Sequence, residues 1–385
     1  MNKIKIFLIA GEASGDILGG RLMAALKQLN NEIVFYGIGG KNMERQGLSS
    51  IFPMHDLSIM GFVEVIPALP RIFKCISQTV QHLCEIDPDL VITIDSPDFC
   101  FRVTSRFRTF GLKAKLIHYV APSVWAYRPE RAKKIAKIYD HLLCLLPFEP
   151  QYFQETGLKA SFIGHPIVDK KPVNKTVFRA QHNIDSDQQL LCVTLGSRKG
   201  EVSRLLPIFL KSIELLAAKV DNLVVVMSTV SNDLAAYIKQ NILKAKVRII
   251  VLAAENRDEI FAACDFALAK SGTNVLELAS HSVPCVVAYR VNPITAFFLK
   301  RMLKIPFVTI INLICGRLVI PEFIQEHCTP KLLADALYLL HADQDIKNAQ
   351  LTGVNYALEM LGLGSAELPS MKAAKIVLQL LSDSS

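Results

Sequence analysis

Twice along its length this chain alternates short β-branched, apolar runs with stretches whose apolar positions recur every three or four residues. In the first half the runs are Ile4–Ala10, Ile33–Gly37, Leu90–Ile94, Lys115–Val120 and His141–Leu145. Helical spacing covers Ile17–Leu29, Pro70–Cys84 and Arg128–Ile138. In the second half the runs are Leu190–Leu195, Leu223–Met227, Val247–Leu252, Phe266–Ala269 and Pro284–Ala288. Between and after them, helical patterns cover Glu201–Val220, Asn232–Ile242, Arg257–Ala263, Asn274–His281 and Pro293–Leu303. Parallel strands need long, usually helical crossovers, so this order predicts two mostly parallel, doubly wound α/β domains facing one another across a cleft. The break at Gly164-His165-Pro166 and the polar stretch Asp169–Gln189 separate residues 1–168 from residues 169–361. Helices are expected over Pro330–Ala342, Asp345–Leu361 and Pro369–Leu380. A length of 385 residues also favours two domains, because single cores stop growing at roughly 250–300.

Apolar residues make up 51% of the chain, yet no uncharged run reaches the about 18 residues of a membrane span. The nearest candidate, Pro293–Cys315, is interrupted by Lys300, Arg301 and Lys304. The N-terminal apolar segment leads into Gly11-Glu12 rather than a cleavage region, and reads as a buried first strand. Nine cysteines are scattered without CxxC or zinc spacing, which fits free thiols in a reducing cytosol. The formal net charge of +8 gathers in Arg102, Arg106, Arg108, Lys113 and Lys115, then Arg128, Arg131, Lys133, Lys134 and Lys137. Such clusters suit phosphate groups of a substrate, a nucleic acid or an anionic membrane, and equally suit solvated helix faces. No zinc-finger or ribonucleoprotein motif supports nucleic acid.

Several loops follow strands at their carboxyl ends, where open α/β sheets place active sites. Asp95 and Asp98, in Thr93–Phe99, put two carboxylates there; one can serve as general base toward a hydroxyl, although Asp also forms turns and caps. Gly11–Asp16 joins the first strand to the first helix, with Gly11 and Gly15 permitting close approach and Asp16 available as a cap. It is neither a Walker loop nor GxGxxG. Pro122–Tyr127 carries Ser123 and the lone Trp125, which can stack on a sugar or anchor the core. His165 can bond a ligand or brace a loop. In the second half, Gly196-Ser197-Arg198-Lys199-Gly200-Glu201 and Lys270-Ser271-Gly272-Thr273-Asn274 each open a helix, where backbone amides favour phosphate. Glu277, one turn beyond Thr273, can accept from a ribose.

In this order the motifs Gly11–Asp16, Asp95–Phe99, Pro122–Tyr127, Gly164–Pro166, Gly196–Glu201 and Ser271–Glu277 resemble those of the lipid-A-disaccharide synthases. Asn312, Arg317, Glu322, Phe323 and Gln325 add a late donor-site signature, and the resemblance covers essentially the whole chain. It implies two Rossmann-like domains of the GT-B type, an acceptor and lipid domain followed by a UDP-sugar domain. Residues 362–385 would return to the first domain or to a dimer partner.

The implied reaction is metal- and cofactor-independent transfer of 2,3-diacylglucosamine from its UDP form to O6 of 2,3-diacylglucosamine 1-phosphate, with inversion to a β-1′,6 linkage. By resemblance Asp98 is the general base, and Asp95 orders its loop or tunes Asp98 electrostatically. Ser197, Arg198 and Glu201 belong to the donor site with Ser271, Gly272, Thr273 and Glu277; Asn312, Glu322 and Gln325 position the donor. Gly11, Glu12, Ser14, Gly15, Asp16, Ser123, Trp125 and His165 fall on the acceptor side or shape its loops.

The acyl chains of both substrates imply a protein peripheral to the cytoplasmic face of the inner membrane. Phe62, Val63, Val65, Ile66, Leu69, Ile72, Phe73 and Ile76 form an acyl- and membrane-contacting set, with Pro67 and Pro70 arguing against one uninterrupted helix. A homodimer with exchanged C-terminal elements is also implied. Three positions depart from the family pattern: Leu195 and Ile311 stand where proline is common, and Cys100 where asparagine is common. The competing readings are a UDP-N-acetylglucosamine 2-epimerase, another GT-B enzyme, or a binding protein without turnover.

Overall fold

The computed structural model describes residues 3–57, 62–111, 113–169, 173–243, 245–253, 257–292, 295–296, 301–302 and 305–382; side chains of residues 62–68 lie outside that description. The chain divides into two compact units, Met1–Pro166 with Gly364–Ser385, and Ile167–Leu363.

In the first unit six parallel strands run β1 (Ile4–Ala10), β2 (Ile33–Ile38), β3 (Leu90–Ile94), β4 (Lys115–Tyr119), β5 (His141–Cys144) and β6 (Lys159–Phe162). Their order across the sheet is β2-β1-β3-β4-β5-β6. β3 is buried at every residue and β1 over its last five, the pattern of strands covered on both faces. The second unit repeats the plan with β7 (Gln189–Thr194), β8 (Leu223–Thr229), β9 (Arg248–Ala253), β10 (Phe266–Lys270), β11 (Cys285–Tyr289) and β12 (Glu322–Ile324). Here the order is β12-β11-β10-β7-β8-β9. In each sheet the chain runs outward from a central strand and then resumes on that strand's other side. The reversal points are β1/β3 and β7/β10.

Edge strands β6 and β12 escape the hydrophobic pattern because they are short and only partly buried. The helix Phe62–Ile86 runs 25 residues through Pro67 and Pro70, against the expectation of a break. Each proline removes one ladder hydrogen bond, but its fixed φ suits a helix, and the long uninterrupted remainder holds the turn together. The basic helix expected over Arg128–Ile138 shortens to Arg131–Ala136, because Arg128 adopts φ 55° and Pro129 disfavours helical geometry in the residue before it. The predicted helix Pro293–Leu303 lies largely outside the described residues.

The first helix starts at Ala13, so Ser14, Gly15 and Asp16 form its first turn rather than a connecting loop. Gly15 serves close packing: a Cβ there would sit 3.2 Å from the Ile94 carbonyl oxygen. Asp16 is buried and does not cap its own helix. Its Oδ1 accepts from the amides of Gly40 (2.8 Å) and Met43 (3.0 Å). Its Oδ2 accepts from Asn42 N (3.0 Å) and Nδ2 (2.8 Å), so one carboxylate organises the turn after β2. At the other end of the chain, helix Pro369–Ser382 buries Ala373, Ala374 and Val377 in the same cluster as Leu18, Leu22 and Leu26 of helix Ala13–Leu29. Asp16→Ala strands three backbone amides, that of Met43 buried and those of Gly40 and Asn42 partly buried. It is expected to cost about 3 kcal/mol, read as a lowered urea midpoint by circular dichroism.

Candidate active site

The loops at the first unit's reversal point are packed together. β3 passes into Asp95 (φ 54°) and Ser96 (φ 44°), both left-handed, before Pro97 opens helix Pro97–Arg108. The Asp95 amide still donates to Tyr119 O (3.0 Å), extending the pairing with β4. A Cβ on Gly11 would lie 2.6 Å from Ser96 Oγ, so only glycine lets the two loops touch. Ser14 Oγ donates to Asp95 Oδ2 (3.2 Å), giving Asp95 a tether between β1 and β3 loops.

Asp98 is different. Its side chain is 85% exposed, Arg131 Nη2 donates to Oδ1 at 3.1 Å, and Oδ2 accepts no hydrogen bond among the described residues. Beneath it, residues that motif reading did not single out hold helix Pro97–Arg108 in place. Thr93 Oγ1 lies 2.7 Å from His118 Nδ1 and 2.9 Å from the Tyr139 hydroxyl, to which Thr104 Oγ1 donates at 3.1 Å. Phe101 packs edge-on against both rings. Burial lowers the His118 pKa to about 3, so the imidazole stays neutral at physiological pH. Cys100 is fully buried beside this network. At this departure from the family pattern the side chain packs in the core rather than facing a ligand.

Trp125 is half-buried; its Nε1 donates to Glu149 Oε1 (3.3 Å) and its ring meets Phe148 edge-to-face at 5.2 Å. This favours the anchoring role over sugar stacking, while Ser123 is exposed. Glu149 Oε2 also accepts from the amides of Leu145 and Leu146, both at 3.0 Å. Burial raises the Glu149 pKa to about 7, only partly opposed by these donors. His165 is held at about 4 by burial, a neutral ring.

In the second unit, Gly196 (φ 107°) turns the chain out of β7 and into helix Lys199–Ala217. A Cβ at Gly196 would collide with Glu201 Oε2, so the glycine admits the carboxylate under the turn. Glu201 is buried there, with Oε1 3.4 Å from Arg198 Nη1 and 3.3 Å from Lys270 Nζ. It braces the loop from below, while Ser197 and Arg198 are exposed above. Lys270, at the end of β10, also lies 5.2 Å over the Tyr289 ring. Next to it Ser271 donates to Val308 O (3.4 Å), with Gly272 and Thr273 exposed before helix Asn274–Ser280. Arg257 Nη1 contacts both Glu277 oxygens (3.1 and 3.3 Å), a partner invisible to motif reading.

The late signature has mostly scaffolding contacts. Asn312 is fully buried; its Oδ1 accepts from Val319 N and Ile320 N, and its Nδ2 donates to Ile320 O and Glu322 Oε1. Glu322 also accepts from the amides of Val308 and Thr309 and from Thr309 Oγ1. Both residues therefore tie residues 308–322 together, and Asn312 has no surface for a ligand. Gln325 takes φ 52° directly after β12. Leu195 and Ile311 are buried, so apolar packing replaces ring stiffness at those positions. In the apolar set, Ile76 is buried and Ile72 packs on the core, whereas Leu69 and Phe73 are exposed; the side chains of Phe62, Val63, Val65 and Ile66 lie outside the described residues.

Two doubly wound parallel sheets, each carrying polar loops at its reversal point, define a protein of the two-domain GT-B class. The UDP-N-acetylglucosamine 2-epimerase of Neisseria meningitidis bound to UDP-GlcNAc shares this fold, with TM-score 0.66 and 13% identity over 99% of this chain and 100% of that one. A glycosyltransferase from Rickettsia africae matches with TM-score 0.60 and 11% identity over the full length of both chains. Sequence gives a narrower placement. The family model LpxB, lipid-A-disaccharide synthetase, matches residues 6–376. Lipid-A-disaccharide synthases of Rhodospirillum centenum and Rickettsia bellii are each 44% identical to this chain. They cover 99% and 97% of it, and 96% and 98% of their own lengths are matched. This chain belongs to the lipid-A-disaccharide synthase family, and it is a glycosyltransferase.

The buried Glu149 gives the first unit a pH dependence of defined sign. A carboxyl whose folded pKa is raised is neutral in both states below about pH 4.5, and its burial opposes folding increasingly as pH rises through 7. Wild type should lose about 3 kcal/mol relative to Glu149→Gln between pH 4.5 and 8, measured by urea unfolding at both values.

Proposed function

We propose that this chain transfers 2,3-diacylglucosamine from its UDP-linked form to O6 of 2,3-diacylglucosamine 1-phosphate. The products are the β-1′,6-linked disaccharide 1-phosphate and UDP. The observation that carries the catalytic assignment is Asp98: an exposed carboxylate at the β1/β3 reversal point, oriented through one oxygen by Arg131 with the other open. In this reading that oxygen accepts the O6 proton as O6 attacks the anomeric carbon opposite the departing UDP, which inverts the α-linked donor. Asp95, tethered by Ser14, keeps the loop in its left-handed path.

Charge on the leaving UDP is met at the β7/β10 reversal point. Arg198, Ser197 and the amides entering helix Lys199–Ala217 face the diphosphate, and Ser271, Gly272 and Thr273 supply further donors. Glu201 and Lys270 act from beneath by holding Arg198 and its loop. Glu277, fixed by Arg257, takes the ribose. Asn312, Glu322 and Gln325 shape the wall behind these loops. The epimerase reading has only fold-level likeness behind it, whereas sequence kinship over nearly the whole chain favours glycosyl transfer.

No helix among the described residues is long and apolar enough to cross a membrane. Work at the cytoplasmic face of the inner membrane is instead proposed to use exposed Leu69 and Phe73 beside Arg71 and Lys74, an apolar face flanked by cations. A homodimer is part of the same proposal.

Asp98→Asn preserves shape and removes the proton acceptor. Its kcat should fall about a thousandfold with both KM values nearly unchanged, measured as UDP release in detergent with both lipid substrates. Full activity in the variant would sink the assignment; a folded, inactive parent that binds both lipids would favour a binding protein. Arg198→Ala should lower kcat about a hundredfold while leaving the acceptor KM in place, read in the same assay.

A further inference from the structure

Beside Asp98 lies a pocket of about 880 Å³ between helix Pro97–Arg108 and residues 128–138, floored by Phe101, Ile135 and Ile138. Arg102, Arg106, Arg128, Arg131 and Lys134 line it against two carboxylates, Asp98 and Glu130. Arg131 is engaged with Asp98, and Arg106 Nη1 donates to Ser77 Oγ (3.1 Å). Arg102, Arg128 and Lys134 are exposed and pair with no carboxylate among the described residues. A merely solvated helix face would not need the second observation: Arg128 holds φ 55°, a conformation that L side chains rarely adopt. Strain of this kind at the mouth of a pocket points to a functional position.

We infer that this pocket receives the phosphate monoester of the acceptor, with Arg102 and Arg128 selecting phosphorylated over dephosphorylated acceptor. The inference rests on Asp98 being the base toward the acceptor hydroxyl. Geometry then limits where the phosphate can go. Arg102 follows Asp98 by four residues, just over one helical turn or about 6 Å along the axis. In a pyranose C1 and C5 flank the ring oxygen, so a C1 phosphate and the C6 hydroxyl carried on C5 lie at the same side of the ring, a separation of the same scale. A sugar with O6 at Asp98 and its ring turned into this pocket brings its phosphate within reach of Arg102, Arg128 and Lys134. Guanidinium groups bind phosphate oxygens in pairs of directed, charge-assisted hydrogen bonds, which a hydroxyl cannot repay. An anionic phospholipid head group presents the same phosphate chemistry, and the test separates the two sources.

The decisive measurement is equilibrium binding, in nonionic detergent, of 2,3-diacylglucosamine 1-phosphate and of its dephosphorylated counterpart. Parent, Arg102→Gln, Arg128→Gln and Arg128→Lys proteins are compared, each with a melting temperature matching the parent. Because both arginines are exposed, the variants are expected to fold. Each glutamine variant should bind the phosphorylated lipid on the order of tenfold more weakly. Binding of the dephosphorylated lipid and the KM for the donor should stay unchanged, and Arg128→Lys should recover part of the loss. Equal weakening toward both lipids, or none, overturns the inference. So does loss of binding to phosphatidylglycerol vesicles, relative to phosphatidylcholine vesicles, with acceptor discrimination intact, since the cations would then serve head groups. Asp98→Asn separates this result from the reaction itself. If it and the parent discriminate the two lipids but the parent turns over neither, the phosphate pocket stands and the transferase reading fails.

Discussion

Parallel pairing governs everything else in this molecule. Strands that run the same way cannot be joined by a tight turn, so each connection crosses a face of the sheet and every strand delivers its chain to the same end. Where the winding reverses, the crossovers on the two sides go to opposite faces, and the loops at that point are left without a covering helix. The chain places Gly11–Asp16 and Asp95–Asp98 at one such point and Gly196–Glu201 and Lys270–Thr273 at the other. Both sets of polar loops thus owe their exposure to topology before any side-chain chemistry enters.

The two sites handle charge in contrasting ways. At the β1/β3 point the key carboxylate stands in solvent and its cation, Arg131, is the better-buried partner at 25% exposure. At the β7/β10 point the carboxylate is underneath: Glu201 is buried and the exposed member is Arg198. One arrangement leaves negative charge facing solvent, the other leaves positive charge there. Swapping which partner is buried reverses the sign of charge that the same kind of ion pair turns toward solvent.

Much of this was legible in the chain because the signals are local. Ten strands announce themselves as apolar runs, and the glycine-bearing loops follow them directly. What stayed hidden depends on partners distant in sequence or on burial. Arg131 lies 33 residues from Asp98, and Glu149 lies 24 from Trp125. Asp16 looked like a cap for its own helix, yet its acceptors face a turn about two dozen residues away. Asn312 and Glu322 carry a motif's appearance, but their hydrogen bonds close on the backbone around them. β6 and β12 are only four and three residues long, too short for an apolar run to stand out, whereas the other edge strands, β2 and β9, are six residues each and do.

Helix Pro369–Ser382 covers the flank of helix Ala13–Leu29 with Ala373, Ala374 and Val377. A ribosome makes one of these partners before the second unit and the other after it. Leu18, Leu22 and Leu26 therefore emerge early and keep an uncovered apolar flank while the whole second unit is translated and becomes free to fold. Although domains commonly mature in the order they are made, here the unit that begins first is completed last, because its closing helix follows the whole second unit in the chain.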